Sequence, residues 1–267
     1  MTARNYITTS EGIKLAFVVS QGTLNQELGI VFLGGFMSDM TGEKATAIEK
    51  WAIAEGYSFL RFDYSGHGLS EGDIRDGTIS RWTEDSLTII RHVSESVRGF
   101  NGPLMLIGSS MGSWIMFRVA DKLERSSSRQ KAVALIGVGS APDFTYDLLP
   151  DSLGPNLMSD LSKFGFCEIE SEYSDQPYII TKKMIEDGNR NRILNSLIKL
   201  NIPVSLIHGQ DDKDVPWTQS LKLMDKLTSS DAELILIKGG DHRLSDKESL
   251  QRIISVVENR IQKIKRY

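Results

Sequence analysis

The stretch Leu104–Trp114, LMLIGSSMGSW, decides how the chain is to be read. A mostly apolar run enters Gly108-Ser109-Ser110-Met111-Gly112, and the helix-compatible segment SWIMFRVADKLER follows. Gly-x-Ser-x-Gly between a strand and a helix is the spacing of a nucleophile elbow, in which a serine stands on a strained turn above the sheet. Flanking glycines suit that turn because bulk there would strike the neighbouring strand and helix. The plain alternative is a tight strand–helix connection, since small residues are common in turns.

Outward from this point, short apolar runs alternate with amphipathic ones, which predicts an α/β fold with a mostly parallel sheet. Strands are expected in GIVFLGG (from Gly29), YSFLRFDYS (Tyr57), PLMLIGSS (Pro103), KAVALIGVGSA (Lys131), PVSLIHG (Pro203) and AELILIKGG (Ala232). Helices are expected in GEKATAIEKWAIAEG, RWTEDSLTIIRHVSESV, SWIMFRVADKLER, WTQSLKLMDKLT and DKESLQRIISVVENRIQKI. The opening NYITTSEGIKLAFVVSQG reads as antiparallel edge strands around a Glu-Gly turn. From Pro142 to about Asn201 no buried strand appears, only aromatics, prolines and helical pieces. That length inside a compact domain suggests a small lid after the sixth strand, or else a plain packing layer. We therefore expect one domain over 1–267, with core segments 1–141 and 202–267 and a lid over about 142–201.

The 267 residues are 40% hydrophobic and 25% charged, with a formal charge of -4, which argues against general affinity for nucleic acid or anionic membrane. The one cysteine, Cys167, allows no intramolecular disulfide and reads as a small buried residue. MTARNYITTSEG carries no apolar leader, and no run is long enough to span a bilayer, so a cytoplasmic protein without a stable membrane anchor is expected. The basic C-terminal IQKIKRY is explained by a surface-packed helix.

A nucleophilic serine needs a base, and the base an orienting carboxylate, here in the chain order Ser…Asp/Glu…His. His242 follows the last strand in DHRLS and is the candidate base. His67 lies in a glycine turn, His92 mid-helix and His208 at a strand end, each with an easier structural role. Asp211, Asp212 and Asp214 share one loop. Asp212 is chosen because it lies three residues after Gly209 and three before Val215-Pro216. Asp241 is read as structural. Backbone N–H groups of Met111 and of Phe36, in FLGGFMSDM, are the candidate oxyanion donors. Asp63, Gly66, Gly68 and Ser70 in RFDYSGHGLSEG read as a structural turn.

GGFMSDMTGEKA (Gly34–Ala45), RFDYSGHGLSEG (Arg61–Gly72), GSSMGSW (Gly108–Trp114), ALIGVGSAPDF (Ala134–Phe144), HGQDDKDVPW (His208–Trp217) and GDHRLS (Gly240–Ser245) together resemble the α/β-hydrolase superfamily over nearly the whole chain. More narrowly they resemble bacterial relatives of the α/β-hydrolase-domain proteins that include a mitochondrial palmitoyl-protein thioesterase, also described as an acyl-glucuronide deglucuronidase. The SDM-x-G-x-KA and GDHR pieces carry more of this resemblance than the elbow does. It implies a triad of Ser110, Asp212 and His242 and cleavage of S-acyl thioesters or O-acyl esters. The implied substrates are a small-molecule acyl ester or thioester, or an S-acylated protein.

No metal or cofactor is called for by such a mechanism. Phe144, Tyr146, Leu149, Leu153, Leu157, Met158, Phe164, Phe166 and Tyr178 could form an apolar acyl pocket or simply pack the lid on the core. A general short-chain carboxylesterase, a carbon–carbon bond hydrolase or peracid-forming enzyme, and a non-catalytic binding protein on the same scaffold are the alternatives.

Overall fold

Alternation along the apolar runs sends successive side chains to opposite faces, and the sheet buries both. A computed structural model describes residues 4–170 and 177–264. Its elements in chain order are β1 (Arg4–Thr8), β2 (Lys14–Ser20), β3 (Asn25–Leu33), α1 (Glu43–Ala54), β4 (Tyr57–Phe62), α2 (Ile79–Ser96), β5 (Pro103–Ser109), α3 (Met111–Arg125) and β6 (Lys131–Val138). They continue with α4 (Phe144–Asp147), α5 (Leu149–Ser152), α6 (Pro155–Phe164), β7 (Phe166–Ile169), β8 (Tyr178–Thr181), α7 (Lys182–Arg190), β9 (Val204–Gly209), α8 (Thr218–Lys226), β10 (Ala232–Ile237) and α9 (Lys247–Ile264).

Eight strands form one sheet in the order β1-β2-β4-β3-β5-β6-β9-β10. The six from β4 to β10 are parallel, while β2 runs antiparallel to both β1 and β4. On β5, Leu104 and Leu106 join one apolar cluster with α2 and α3, whereas Met105 and Ile107 join a second with α1 and α9. Helices thus cover both faces, the condition under which a parallel sheet is stable. The sheet edge next to α9 holds a feature that amphipathic patterning does not announce. Arg260 is buried there, donating to Ser205 Oγ, the Val204 carbonyl, Asp231 and Glu233.

Between β6 and β9 the structure departs from expectation. The segment does contain strands: β7 and β8 form an antiparallel pair, with Cys167 and Ile180 buried in it. Each strand is four residues long, so neither shows enough alternation to be read from sequence. Residues 171–176 lie outside the described residues, as do Met1-Thr2-Ala3 and the last three of IQKIKRY, Lys265-Arg266-Tyr267. The base of the insertion is pinned to the core by polar bonds. Asp143 accepts from the Ile193 and Leu194 N–H groups at 2.8 and 2.9 Å, tying its first residues to its last. Asp187 of α7 accepts from Ser80 N and Oγ at the start of α2, both at 2.8 Å. Trp114 Nε1 of α3 donates to the Asn191 carbonyl at 3.1 Å.

The handover from β5 to α3 is the tightest point. A Cβ on Gly112 would collide with the carbonyls of Leu33 and Gly34, and one on Gly108 with the Gly112 carbonyl and the Ser113 backbone. Backbone on every side leaves nothing that can yield. Gly112→Ala is expected to cost about 3 kcal/mol of unfolding free energy, as overpacking does. A urea midpoint lowered at constant m checks it, and an unmoved midpoint would contradict this packing.

Candidate active site

Every candidate residue stands where a parallel strand ends at its carboxyl edge: β3 leads to Phe36, β5 to Ser110, β9 to Asp212 and β10 to His242. Ligand sites of open α/β sheets gather at this edge. Ser110 has φ 54° and ψ -123°, outside the comfortable range of an L-residue. Such a conformation costs on the order of 1–3 kcal/mol and survives only where its surroundings fix it. Here the Ser110 N–H donates to the Val138 carbonyl at 2.9 Å, and its own carbonyl accepts from Ser113 N, Ser113 Oγ and Ala141 N.

Ser110 Oγ lies 3.1 Å from His242 Nε2, and His242 Nδ1 lies 2.7 Å from Asp212 Oδ2. Asp212 is the member of its loop that makes this contact. Its Oδ1 also accepts from Asp214 N at 3.0 Å and Val215 N at 2.8 Å. Asp211 and Asp214 are exposed, and Asp241 accepts from Leu244 N within the loop of His242. Burial by itself would raise the Asp212 carboxyl. Hydrogen bonds from His208 and His242, the charge of His242 and the Val215 N–H outweigh it and hold the group well below the usual carboxylate range.

His208 is a participant that the sequence reading passed over. Its Nε2 lies 3.0 Å from both Asp212 Oδ2 and the Val215 carbonyl. Both are acceptors, so the proton belongs on Nε2, and Nδ1 accepts from Ser220 Oγ at 2.7 Å. The signal was present in HGQDD, where the aspartate follows the histidine at i+4. His92, by contrast, sits in α2 with its ring against Phe17.

The loop after β3 approaches the serine closely. A Cβ on Gly35 would lie 3.3 Å from Ser110 Cβ. Among the described residues, neither the Phe36 nor the Met111 N–H donates a hydrogen bond. Asp63 holds the far side of this loop by accepting from Met40 N at 2.6 Å, and its other oxygen accepts from Leu69 N at 2.8 Å. Ser70 Oγ accepts from Ala16 N and donates to the Asp63 carbonyl. The bonds to Leu69 N and the Asp63 carbonyl are the turn bonds expected of RFDYSGHGLSEG, while those from Met40 and Ala16 tie the turn to its neighbours. His67 does more than fill that turn. Its Nε2 accepts from Met37 N at 3.0 Å, and its ring meets Phe36, Tyr64 and Trp82.

Of the nine apolar residues named for an acyl pocket, Phe144 and Tyr178 reach the site and pack on the Phe36 ring at 6.3 and 5.9 Å between centroids. Tyr146, Met158 and Phe164 are exposed, while Leu149 and Leu153 are buried in the core. Phe166 lies under the Arg75 guanidinium. Cys167 is buried. Among the described residues, Asp212, Asp214 and His242 bring possible metal-ligand atoms within 4.8 Å of one another, but Asp212 and His242 already bond each other there.

Fold and site together define a serine-hydrolase-type α/β-hydrolase that acts on ester bonds. The family model described as serine aminopeptidase, S33 matches residues 30–161. Mouse palmitoyl-protein thioesterase ABHD10, mitochondrial, is 33% identical over 264 residues, covering 97% of this chain and 83% of that protein. Its solved structure superposes with a TM-score of 0.84 at 32% identity, covering 98% of this chain and 99% of the other. The crystal structure of an Agrobacterium vitis S4 protein gives 0.91 at 36% identity, with 98% and 99% covered. The chain belongs to the α/β-hydrolase family that contains palmitoyl-protein thioesterase ABHD10. No helix among the described residues is long and apolar enough to cross a membrane.

Burial pushes the His67 imidazole down to about 4, against an upward pull from the Ser65 carbonyl. Unfolded, it protonates near 6.5, so between about pH 6.5 and 4 the unfolded chain binds a proton the folded one refuses. Stability must therefore fall as pH drops through this window, by about 3 kcal/mol from this group. His67→Gln, which keeps an acceptor but does not titrate, is expected to flatten the fall in urea midpoint. An equally steep decline in the variant would rule this out.

Proposed function

We propose that the chain cleaves carboxylic esters and thioesters through an acyl-enzyme on Ser110, within one α/β-hydrolase domain. His242 Nε2 takes the Ser110 proton as Oγ attacks the acyl carbonyl. The N–H groups of Phe36 and Met111 receive the developing oxyanion, and Asp212 stabilises the imidazolium through Nδ1. His242 then gives its proton to the leaving alcohol or thiol, and water repeats the sequence on the acyl-serine. No step needs a metal or cofactor. The observation that carries this reading is the unbroken relay Ser110–His242–Asp212 on a backbone strained at the serine.

Residues 142–201 are read as a lid over this site. The support is direct contact: Phe144 and Tyr178 pack on Phe36, and the Ile179 N–H of β8 points at Met37 Sδ from 3.4 Å. The insertion therefore touches the residues read as the oxyanion loop, and an apolar acyl chain would lie among these rings. The relatives' name supplies the substrate class, an S-acyl thioester, carried by a small molecule or a protein. We place the activity in the cytoplasm, a reducing compartment that suits a single buried cysteine, whereas the relatives' names place those proteins in mitochondria.

Ser110→Ala is expected to lower kcat by about 10⁴-fold or more, and Asp212→Asn by a comparable factor. Matched S-acyl thioesters and O-aryl esters of rising chain length test the substrate. Preference for long thioesters that disappears in Ser110→Ala supports a deacylase. Turnover confined to short esters would leave a general carboxylesterase. Activity persisting in folded Ser110→Ala would overturn the mechanism.

A further inference from the structure

We propose that Lys44 is a positioning residue for the base loop: its ammonium, at the start of α1, holds the Arg243 carbonyl and thereby keeps His242 turned toward Ser110. The proposal rests on the serine-hydrolase reading above. The segments SDMTGEKA, which leads into α1, and GDHR, which carries His242, meet at this bond. They are 199 residues apart in sequence, so the contact is purely tertiary.

The loop of His242 needs holding. Leu244 is fully buried with φ 44°, a conformation that a leucine rarely adopts. Strained backbone persists only where its neighbours over-determine it. Asp241 Oδ1 takes the Leu244 N–H at 2.8 Å, and the Gly240 carbonyl takes the Asp211 N–H at 2.9 Å. The carbonyl of Arg243, directly after the base, is held by Lys44. Local helix stability does not explain a lysine there, because a cation in the first turn opposes the helix dipole. On its other side Lys44 is joined through the start of α1 to Met40, whose N–H and carbonyl are held by Asp63 and Arg61. One side chain thus links the loops read as oxyanion donor and base.

The electrostatics agree with this geometry. Burial first, and the Arg243 guanidinium second, bring the Lys44 ammonium down to about 8, against the opposing pull of Asp241, Glu43 and Asp212. Lys44 therefore gives up its charge a little above neutrality, and a pH profile can report on it.

The test uses Lys44→Met and Lys44→Arg with p-nitrophenyl hexanoate over roughly pH 6 to 10, together with deuterium exchange of peptides covering 238–250. Lys44→Met should lower kcat at neutral pH by about tenfold or more with KM little changed, since small misplacements of a catalytic group are costly. Exchange in the His242 loop should quicken. The wild-type rate should fall on the alkaline side near the Lys44 value of about 8, and Lys44→Met should lack that fall. Lys44→Arg should recover much of kcat and move the fall to higher pH. Wild-type kcat with unchanged exchange in Lys44→Met overturns the proposal, as does an alkaline fall that persists there. Should Lys44→Met not fold, an unmoved alkaline fall in Lys44→Arg overturns it equally. Should wild type neither turn over nor label with a fluorophosphonate, the serine-hydrolase reading fails instead. Exchange then decides alone: faster exchange in Lys44→Met, or in Lys44→Arg if only that variant folds, upholds the clamp, and unchanged exchange overturns it.

Discussion

Gly112 lies against the carbonyls of Leu33 and Gly34, and that contact sets the distance between β3 and the first turn of α3. Any side chain at that position would drive the two apart. Because they are close, the loop leaving β3 passes beside Ser110. At the same handover the serine stands at φ 54°. Strain and proximity meet at one tightly packed point.

Strain is gathered rather than spread. Among the described residues, the non-glycine residues with positive φ are Met37, Ser110, Asp143 and Leu244. Three belong to the loops that bear the proposed oxyanion donor, nucleophile and base, and the fourth opens the insertion. Met37, Ser110 and Asp143 are held by polar bonds to residues distant in sequence, His67, Val138 and the Ile193-Leu194 pair, while Leu244 is held within its own loop by Asp241. Such bonds hold conformations that local propensity disfavours.

The buried polar groups divide between holding charge and holding shape. Asp212 stays ionised because four donors reach it, which offsets the cost of burying a carboxylate. His67 is kept neutral by the same burial, and neutrality is what lets its Nε2 accept from Met37. Identical side-chain types at 67, 208 and 242 thus take different parts, decided by what faces each ring nitrogen.

The α/β class, the six parallel strands and the handover at Ser110 were legible in the sequence, because strand and helix periods and glycine spacing are local properties. The choice of Ser110, Asp212 and His242 as partners was legible too, since chain order and the Gly209–Pro216 frame restrict the candidates; that they come within hydrogen-bond reach is a property of the fold. The four-residue strands β7 and β8 were not legible, because so short a run carries no period. Nor was the burial of Arg260, whose partners Val204 and Ser205 on β9, Glu233 on β10 and Asp231 just before β10 are brought to α9 only by sheet pairing. The links from His67 to Met37 and Lys44 to Arg243 likewise belong to the tertiary structure. A side-chain bond depends on direction and distance in the folded chain. Sequence carries the residue types, and packing alone decides which atoms they face.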